Sequence, residues 1–552
     1  MVQKVAVIGA GPSGLTSIKC CLDEGLEPTC FESSNDIGGL WRFKEKPEPG
    51  RANIYQSVVV NSSKEMMSYS DFPPPAELPN NMHHSEVMLY LRLYAQEFQL
   101  LQSIRFQTTV VSVRRRADFA VKGQWDVETE SAEGQRETSV FDAVLVCSGH
   151  YTRPHLPLSD FPGIEGFTGR YFHSWEYRNS NGLEGKKVLV IGMGNSGGDI
   201  AVDVSRVAQR VYLSTRSGAW VMGRVGQGGL PGDVVCSTRM QSLIRNLFPN
   251  WSTRAVENKL NEAFDHKLYG LKPKHGFWAQ IPIVNDDLAG RIISGRVKVK
   301  PNVKEFSRTS VVFTDGSVID EVRVWKIKVF SLCPHFCSKT EFVNLLQVDT
   351  VIFATGYNYS FPFLPPEIQT KSGFRLCLYK HVFPPSLAPP TLAVVGFIHG
   401  FGAINPLAEM QARWATRVFK GKTFVCSERT PLQVDYLPYM DSLAEKVGVK
   451  PNILGLFLRD PKLALEVFLG PCTPYQYRLS GPGQWAGARQ AILTQWQRVT
   501  QPFRTRVVPE PECRAACGLT SLAALTGAVL LGCLFLYQHG FVSSSWPSSF
   551  LS

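Results

Sequence analysis

The sequence predicts an α/β chain built on two doubly wound parallel sheets, and three observations carry that prediction. A short apolar strand, Val5-Ala6-Val7-Ile8, runs straight into Gly9-Ala10-Gly11-Pro12-Ser13-Gly14 and a helix-like stretch. The design recurs at Lys187-Val188-Leu189-Val190-Ile191, followed by Gly192-Met193-Gly194-Asn195-Ser196-Gly197-Gly198. A length of 552 residues, 44% hydrophobic and 19% charged, is too large for one compact core and too apolar for a disordered chain. A helical insertion in the second unit and one apolar C-terminal segment complete the predicted architecture.

The first glycine motif has the context that a dinucleotide cradle requires. Gly9 permits the tight turn, Gly11 lets a pyrophosphate approach the backbone, and Gly14 packs helix on strand. Ala10, Pro12 and Ser13 complete the loop, and the helix N-terminus offers free N–H groups to the phosphates. The next strand, Pro28-Thr29-Cys30-Phe31, ends in Glu32, an acid placed to accept hydrogen bonds from a ribose diol.

The second cradle differs where it matters. Its following strand, Arg210-Val211-Tyr212-Leu213-Ser214, ends in Thr215-Arg216 with no acid at the ribose position. An arginine there pairs with a 2′-phosphate that an acid would repel. The first Rossmann-like unit therefore suits FAD and the second NADPH, which implies hydride transfer from nicotinamide to flavin. A disulfide acceptor is discounted, because Cys20 and Cys21 are adjacent and fall within a helical pattern.

Thirteen cysteines without a regular framework argue for reduced thiols rather than a stapled secreted domain. The net charge of +11 is spread along the chain, so no nucleic-acid partner is expected. His83-His84 reads as an exposed loop beside Phe72-Pro73-Pro74-Pro75, and Cys333-Pro334-His335-Phe336-Cys337 offers at most three ligands; no metal site is expected. Residues 515–537 are uncharged and long enough to span about 30 Å of hydrocarbon. Arg504, Arg506 and Arg514 precede them and no Lys or Arg follows, which predicts a tail anchor with the bulk of the protein in the cytosol.

Four further segments identify a family resemblance. Phe167-x-Gly169-x-x-x-His173-x-x-x-Tyr177 matches the flavin monooxygenase fingerprint, and Phe353-Ala354-Thr355-Gly356-Tyr357 matches the family's strand and turn. The segment from Tyr55-Gln56-Ser57-Val58 to Asn61-Ser62-Ser63-Lys64-Glu65-Met66 matches the one that carries the active-site asparagine, and Gly481-Pro482-Gly483-Gln484-Trp485 also fits. The chain resembles vertebrate microsomal flavin-containing monooxygenases over nearly its whole length. The resemblance implies FAD along Gly9 to Ser13, with Glu32 on the ribose, Leu40 and Trp41 lining the flavin, and Asn61 and Ser62 nearby. It implies NADP along Asn195, Ser196, Gly197 and Gly198, with Arg216 at the phosphate and Val60 and Asn61 in contact.

For activity, the resemblance implies a C4a-hydroperoxyflavin, formed with NADPH and O2, that oxygenates soft nitrogen and sulfur nucleophiles: small amines, sulfides and thioureas among xenobiotics and metabolites. Asn61 is the catalytic candidate, since a neutral amide donates a hydrogen bond without delivering a proton. Ketone (Baeyer–Villiger) oxygenation and NADPH oxidase activity stay open, as does an oligomer. The location implied is the endoplasmic reticulum membrane.

On this reading residues 1–155 are the first part of the FAD domain and 156–325 the NADP domain, with a helical insertion at 218–295 that includes Met240 to Leu247 and Ala255 to Phe264. Residues 349–440 return to the FAD domain, 441–510 close the structure, and 515–537 anchor it. Two departures from the family stand out. Residues 323–347 are extra, placed where the chain is expected to cross between domains, and the stretch near 430 is short. An inactive isoform is the alternative that this insertion raises.

Overall fold

The computed structural model describes residues 2–319, 348–368, 376, 378–423 and 433–506. Residues 1–502 form one compact unit, and of a second unit, 503–552, only the first four residues are described. The expected tail anchor, the 323–347 insertion and the short stretch near 430 lie outside the described residues. No helix among the described residues is long and apolar enough to cross a membrane.

Two five-stranded parallel sheets organise the unit. The first runs Leu392–Val394, Ala143–Val146, Lys4–Ile8, Glu27–Phe31 and Ile104–Arg105. The second runs Val297–Lys300, Arg210–Ser214, Lys187–Ile191, Thr350–Phe353 and Arg170–His173. In each, the strand that feeds the glycine loop is central and the chain leaves it in both directions. Each loop thus stands at the crevice where such sheets bind dinucleotides.

Strand burial explains why these segments read as unbroken apolar runs. Lys187–Ile191 is buried throughout, and both faces of its sheet are covered. Alternate side chains enter different cores: Val188 and Val190 one, Leu189 and Ile191 the other. The first sheet does the same, with Val5 and Val7 on one side and Ala6 and Ile8 on the other.

Several placements depart from the sequence reading. Thr350–Phe353 pairs with Lys187–Ile191 and with Arg170–His173, so it belongs to the second sheet. The return to the first domain therefore begins after Phe353 rather than at Asp349. Ile319 and Val348, the described residues on either side of 320–347, sit in one apolar cluster of the second domain. The second helix of the insertion spans Pro249–Ala263, beginning before Ala255, with Pro249 at its first turn where a missing N–H costs nothing. His83 and His84 are not an exposed loop: His83 caps the helix His84–Glu97 and His84 is buried.

A buried ionic network ties the C-terminal segment to the first domain. Arg478 donates to Glu409 Oε1 at 2.8 Å and Ser70 Oγ at 2.6 Å, and pairs with Asp71 Oδ2 at 2.8 Å. Lys19 closes the network on Asp71 at 2.5 Å. The close opposite charges offset the cost of burying each one.

Candidate active site

Each glycine loop shows which of its glycines serve the fold and which leave room for a ligand. Gly9 has φ +99°, and a Cβ there would lie 2.9 Å from the Cys147 carbonyl oxygen. A Cβ on Gly14 would fall 1.8 Å from the Gly9 oxygen, so helix Pro12–Asp23 can approach its strand only without a side chain. Gly11 is different, since its nearest neighbour would be the Gly39 Cα at 3.6 Å. Leu40 and Trp41 follow in a 3₁₀ turn, Gly39–Trp41, that the Gly38 N–H bonds back to Ala10 O at 3.0 Å.

Glu32 is nearly buried at the end of its strand. Its carboxylate accepts from Ala10 N at 2.8 Å, Ser34 N at 2.9 Å and Ser34 Oγ at 2.7 Å, and pairs with Arg51 at 3.0 Å. Burial pushes this carboxyl up, but the Ala10 N–H, Arg51 and Ser34 outweigh it and hold the group below its ordinary 4.5. An ionised acid is thereby fixed beside the first loop.

The second cradle repeats the pattern. Gly192 has φ +106° and would press a Cβ to 2.4 Å from Ala354 O, while Gly197 would place one 2.0 Å from Gly192 O. Gly194 meets nothing within 4 Å. Asn195 opens helix Asn195–Val204 and accepts from Val284 N at 2.9 Å. Arg216 is exposed just beyond Arg210–Ser214.

Segment 55–63 of the first domain is pinned by the second domain at four points. Tyr55 OH donates to Asp199 at 2.7 Å, and Ser57 Oγ to Asp203 at 3.2 Å, both acids standing on the cofactor-cradle helix. Arg224 donates to Asn61 Oδ1 at 2.8 Å, and Asp233 accepts the Ser63 N–H at 2.6 Å. Asn81 Nδ2 holds the Val60 and Asn61 carbonyls at 3.2 and 3.3 Å. The Asn61 Nδ2 group donates to none of the described residues. Burial pushes the Asp233 carboxyl up to about 6, against the opposing pull of the Ser63 N–H.

Fingerprint residues act as packing and docking groups. Tyr177 OH donates to Asp203 at 2.7 Å, and His173 Nδ1 accepts from Trp175 N at 3.0 Å, its imidazole lowered to about 4 by burial. Cys20 and Cys21 are buried in helix Pro12–Asp23, and burial pushes Cys20 up to about 12, so neither offers a ready thiolate. Among the described residues no group of three or more His, Cys, Asp or Glu is placed to hold a metal ion.

Sequence reasoning brought together Gly9 to Gly14 with Glu32, and Gly192 to Gly198 with Arg216. It missed Asp199, Asp203, Arg224 and Asp233, whose partners in segment 55–63 lie more than a hundred residues away. The one local signal was the glycine-rich run Gly223 to Gly232, a tight arch with Arg224 near one end and Asp233 just past the other.

Two glycine loops at the crevices of two parallel sheets, with one segment pinned across the two domains, give the architecture of a two-dinucleotide oxidoreductase. The Flavin-binding monooxygenase-like family matches residues 2–430 and 421–538, and the chain belongs to that family. It is 51% identical over 529 residues to Flavin-containing monooxygenase 5 of Homo sapiens, covering 92% of this chain and 94% of that one. To Dimethylaniline monooxygenase (N-oxide-forming) 2 of Mus musculus it is 47% identical over 564 residues, covering 98% and 100%. The S-allyl-L-cysteine S-oxygenase of Allium sativum shares the fold, with a TM-score of 0.58 at 23% identity over 90% of this chain and 98% of that one. The protein is a flavin-dependent monooxygenase whose cofactors are FAD and NADPH, and the two loops fit both: a Cβ on Gly11 would meet nothing closer than 3.6 Å and one on Gly194 nothing within 4 Å, which leaves the backbone open to a pyrophosphate.

Proposed function

We propose that the chain oxygenates soft nitrogen and sulfur centres of small molecules, one oxygen atom of O2 going to the substrate and the other to water. The balance is substrate, O2, NADPH and a proton giving the N- or S-oxide, NADP⁺ and water. Bound flavin supplies the two-electron link between nicotinamide and oxygen. The protein supplies position and dryness.

Gly9 to Gly14 and the N-terminus of helix Pro12–Asp23 receive the FAD pyrophosphate, and Glu32 its ribose. Leu40, Trp41 and Ser62 line the flavin. Gly192 to Gly198 receive the NADP pyrophosphate, Arg216 the 2′-phosphate, and Val60 the nicotinamide end. Asn61 donates its amide N–H to the cofactors from a neutral group that cannot protonate them. The observation that carries this reading is the pinned segment 55–63: an amide whose oxygen and flanking carbonyls are already satisfied by protein, held where the two domains meet. Such a site selects substrates by access and nucleophilicity rather than by grip.

The test is a product screen with N,N-dimethylaniline, an alkyl aryl sulfide and a cyclic ketone. The expected products are the N-oxide and the S-oxide. Lactone formation with inert amine and sulfide would replace this reading by ketone oxygenation, and peroxide release alone would make the chain an NADPH oxidase.

The same reading places the catalytic unit on the cytosolic face of the endoplasmic reticulum, anchored through 515–537. Exposed Leu243, Leu247, Phe248 and Trp251 of the insertion, and Leu454 and Leu458 of the closing segment, support a membrane-facing surface. Carbonate extraction of microsomes tests it, with loss of retention on truncation at 514 as the expected result.

A further inference from the structure

Arg224 takes no part in the chemistry assigned to the cradles, yet its contacts converge on the catalytic amide. It stands near the start of a narrow arch closed by Gly226 N to Leu230 O and by Gly232 N to Arg224 O, both at 2.7 Å. Asp286 holds it twice, accepting from Arg224 N at 2.7 Å and from Nη1 at 3.0 Å. The guanidinium then donates across the domain boundary to Val59 O at 3.3 Å, Val60 O at 3.4 Å and Asn61 Oδ1 at 2.8 Å. Its side chain is only 14% exposed.

We propose that Arg224 is a positioning residue that sets which end of the Asn61 amide faces the cofactors. A guanidinium has five N–H donors and no acceptor, so only the carbonyl end of an amide can face it. With Oδ1 taken by Arg224, the NH2 group is the end left for the site. The two ends of a carboxamide are nearly equal in size, and without a directing partner its rotation costs little. Arg224 shares the hold on the backbone around Asn61 with Asn81 and, through Ser63, with Asp233, so the freedom that it alone removes is the amide flip. Asp286 in turn orients Arg224. The inference rests on the reading of Asn61 as the donor toward nicotinamide and flavin.

The test compares full-length Arg224→Gln, Asn61→Asp, Asn61→Ala and Arg224→Gln/Asn61→Ala holoenzymes in three readouts: FAD occupancy, NADP⁺ affinity by titration of the flavin spectrum, and hydrogen peroxide released per NADPH at saturating sulfide. Arg224→Gln is expected to keep its FAD, bind NADP⁺ about tenfold more weakly, the worth of one charge-assisted hydrogen bond, and release more peroxide. Asn61→Asp keeps Arg224 and gains an ion pair with it but loses the donor, so it should weaken NADP⁺ binding by a similar factor with FAD retained. The double variant should be no worse than Asn61→Ala alone. Wild-type NADP⁺ affinity and coupling in Arg224→Gln beside an impaired Asn61→Ala would overturn the inference and spare the Asn61 reading. Additive losses in the double variant would overturn it as well. Unimpaired Asn61→Ala would sink the Asn61 reading and the inference together. Should Arg224→Gln fold poorly, Asn61→Asp still decides, since wild-type NADP⁺ affinity there refutes the donor orientation.

Discussion

Replacing Gly194 by alanine separates what the second cradle does for NADPH from what it does for the fold. The backbone there has φ −103° and ψ −173°, extended values open to any residue, and a new Cβ would meet no protein atom within 4 Å. Folding should therefore be unharmed, and the lost flexibility of the unfolded chain should stabilise the variant by about 0.4–1 kcal/mol. The methyl group would instead occupy the approach of the pyrophosphate to the loop. Loss of one charge-assisted backbone hydrogen bond costs about 1.5–3 kcal/mol, or roughly 10- to 100-fold in NADP⁺ affinity. Gly197→Ala is the counterpart: its Cβ would sit 2.0 Å from Gly192 O, so it should fail through misfolding of the domain. The assay pairs thermal unfolding and FAD stoichiometry with NADP⁺ titration and the rate of anaerobic flavin reduction at subsaturating NADPH. Unchanged NADP⁺ affinity in folded, FAD-loaded Gly194→Ala would refute the placement of the cofactor on this loop.

The same geometry sets three more outcomes. Arg216→Gln should weaken NADPH binding roughly 10- to 100-fold and leave NADH untouched, read as the ratio of the two kcat/KM values; equal losses for both would remove Arg216 from the 2′-phosphate. Arg478→Ala leaves Glu409 and Asp71 buried without their shared partner, and should cost about 3–5 kcal/mol in urea unfolding; a loss under about 1 kcal/mol would contradict the network's role. Asp233→Asn should stabilise the protein above pH 6. The carboxyl sits at about 6 in the fold against an ordinary 3.8, so its contribution is fully present below about pH 4 and is lost as pH rises through 6. The variant escapes that loss, about 2–3 kcal/mol at pH 7.5, and its advantage should vanish near pH 4; an advantage independent of pH would refute the assignment.

Local motifs made the two cradles legible, because a strand, three glycines and a charged residue at the end of the next strand lie within one short βαβ run. Glu32 and Arg216 stand out there by their opposite charges at the ends of matching strands. The residues that pin segment 55–63 could not, since Arg224, Asp233, Asp199 and Asp203 reach Asn61, Ser63, Tyr55 and Ser57 from the other domain, and beyond the glycine-rich run around Arg224 and Asp233 nothing nearby announces a partner. The strand Thr350–Phe353 was misplaced for a related reason. A fully buried parallel strand reads the same in either sheet, and only its pairing with Lys187–Ile191 settles which one it joins. The proline-rich stretch before His83 suggests a loop there, whereas Glu86 three residues on supplies the reciprocal half of a capping box.

The most direct test of oxygen transfer between two paired cradles mixes the FAD-loaded, detergent-solubilised protein with NADPH in the absence of oxygen, then with ¹⁸O-labelled O2 and an alkyl aryl sulfide. The expected result is bleaching of the flavin by NADPH and one labelled oxygen in each sulfoxide formed, with little hydrogen peroxide. Bleaching followed by peroxide and unlabelled sulfide would contradict oxygen transfer, and a flavin that NADPH leaves oxidised would contradict the pairing of the two cradles.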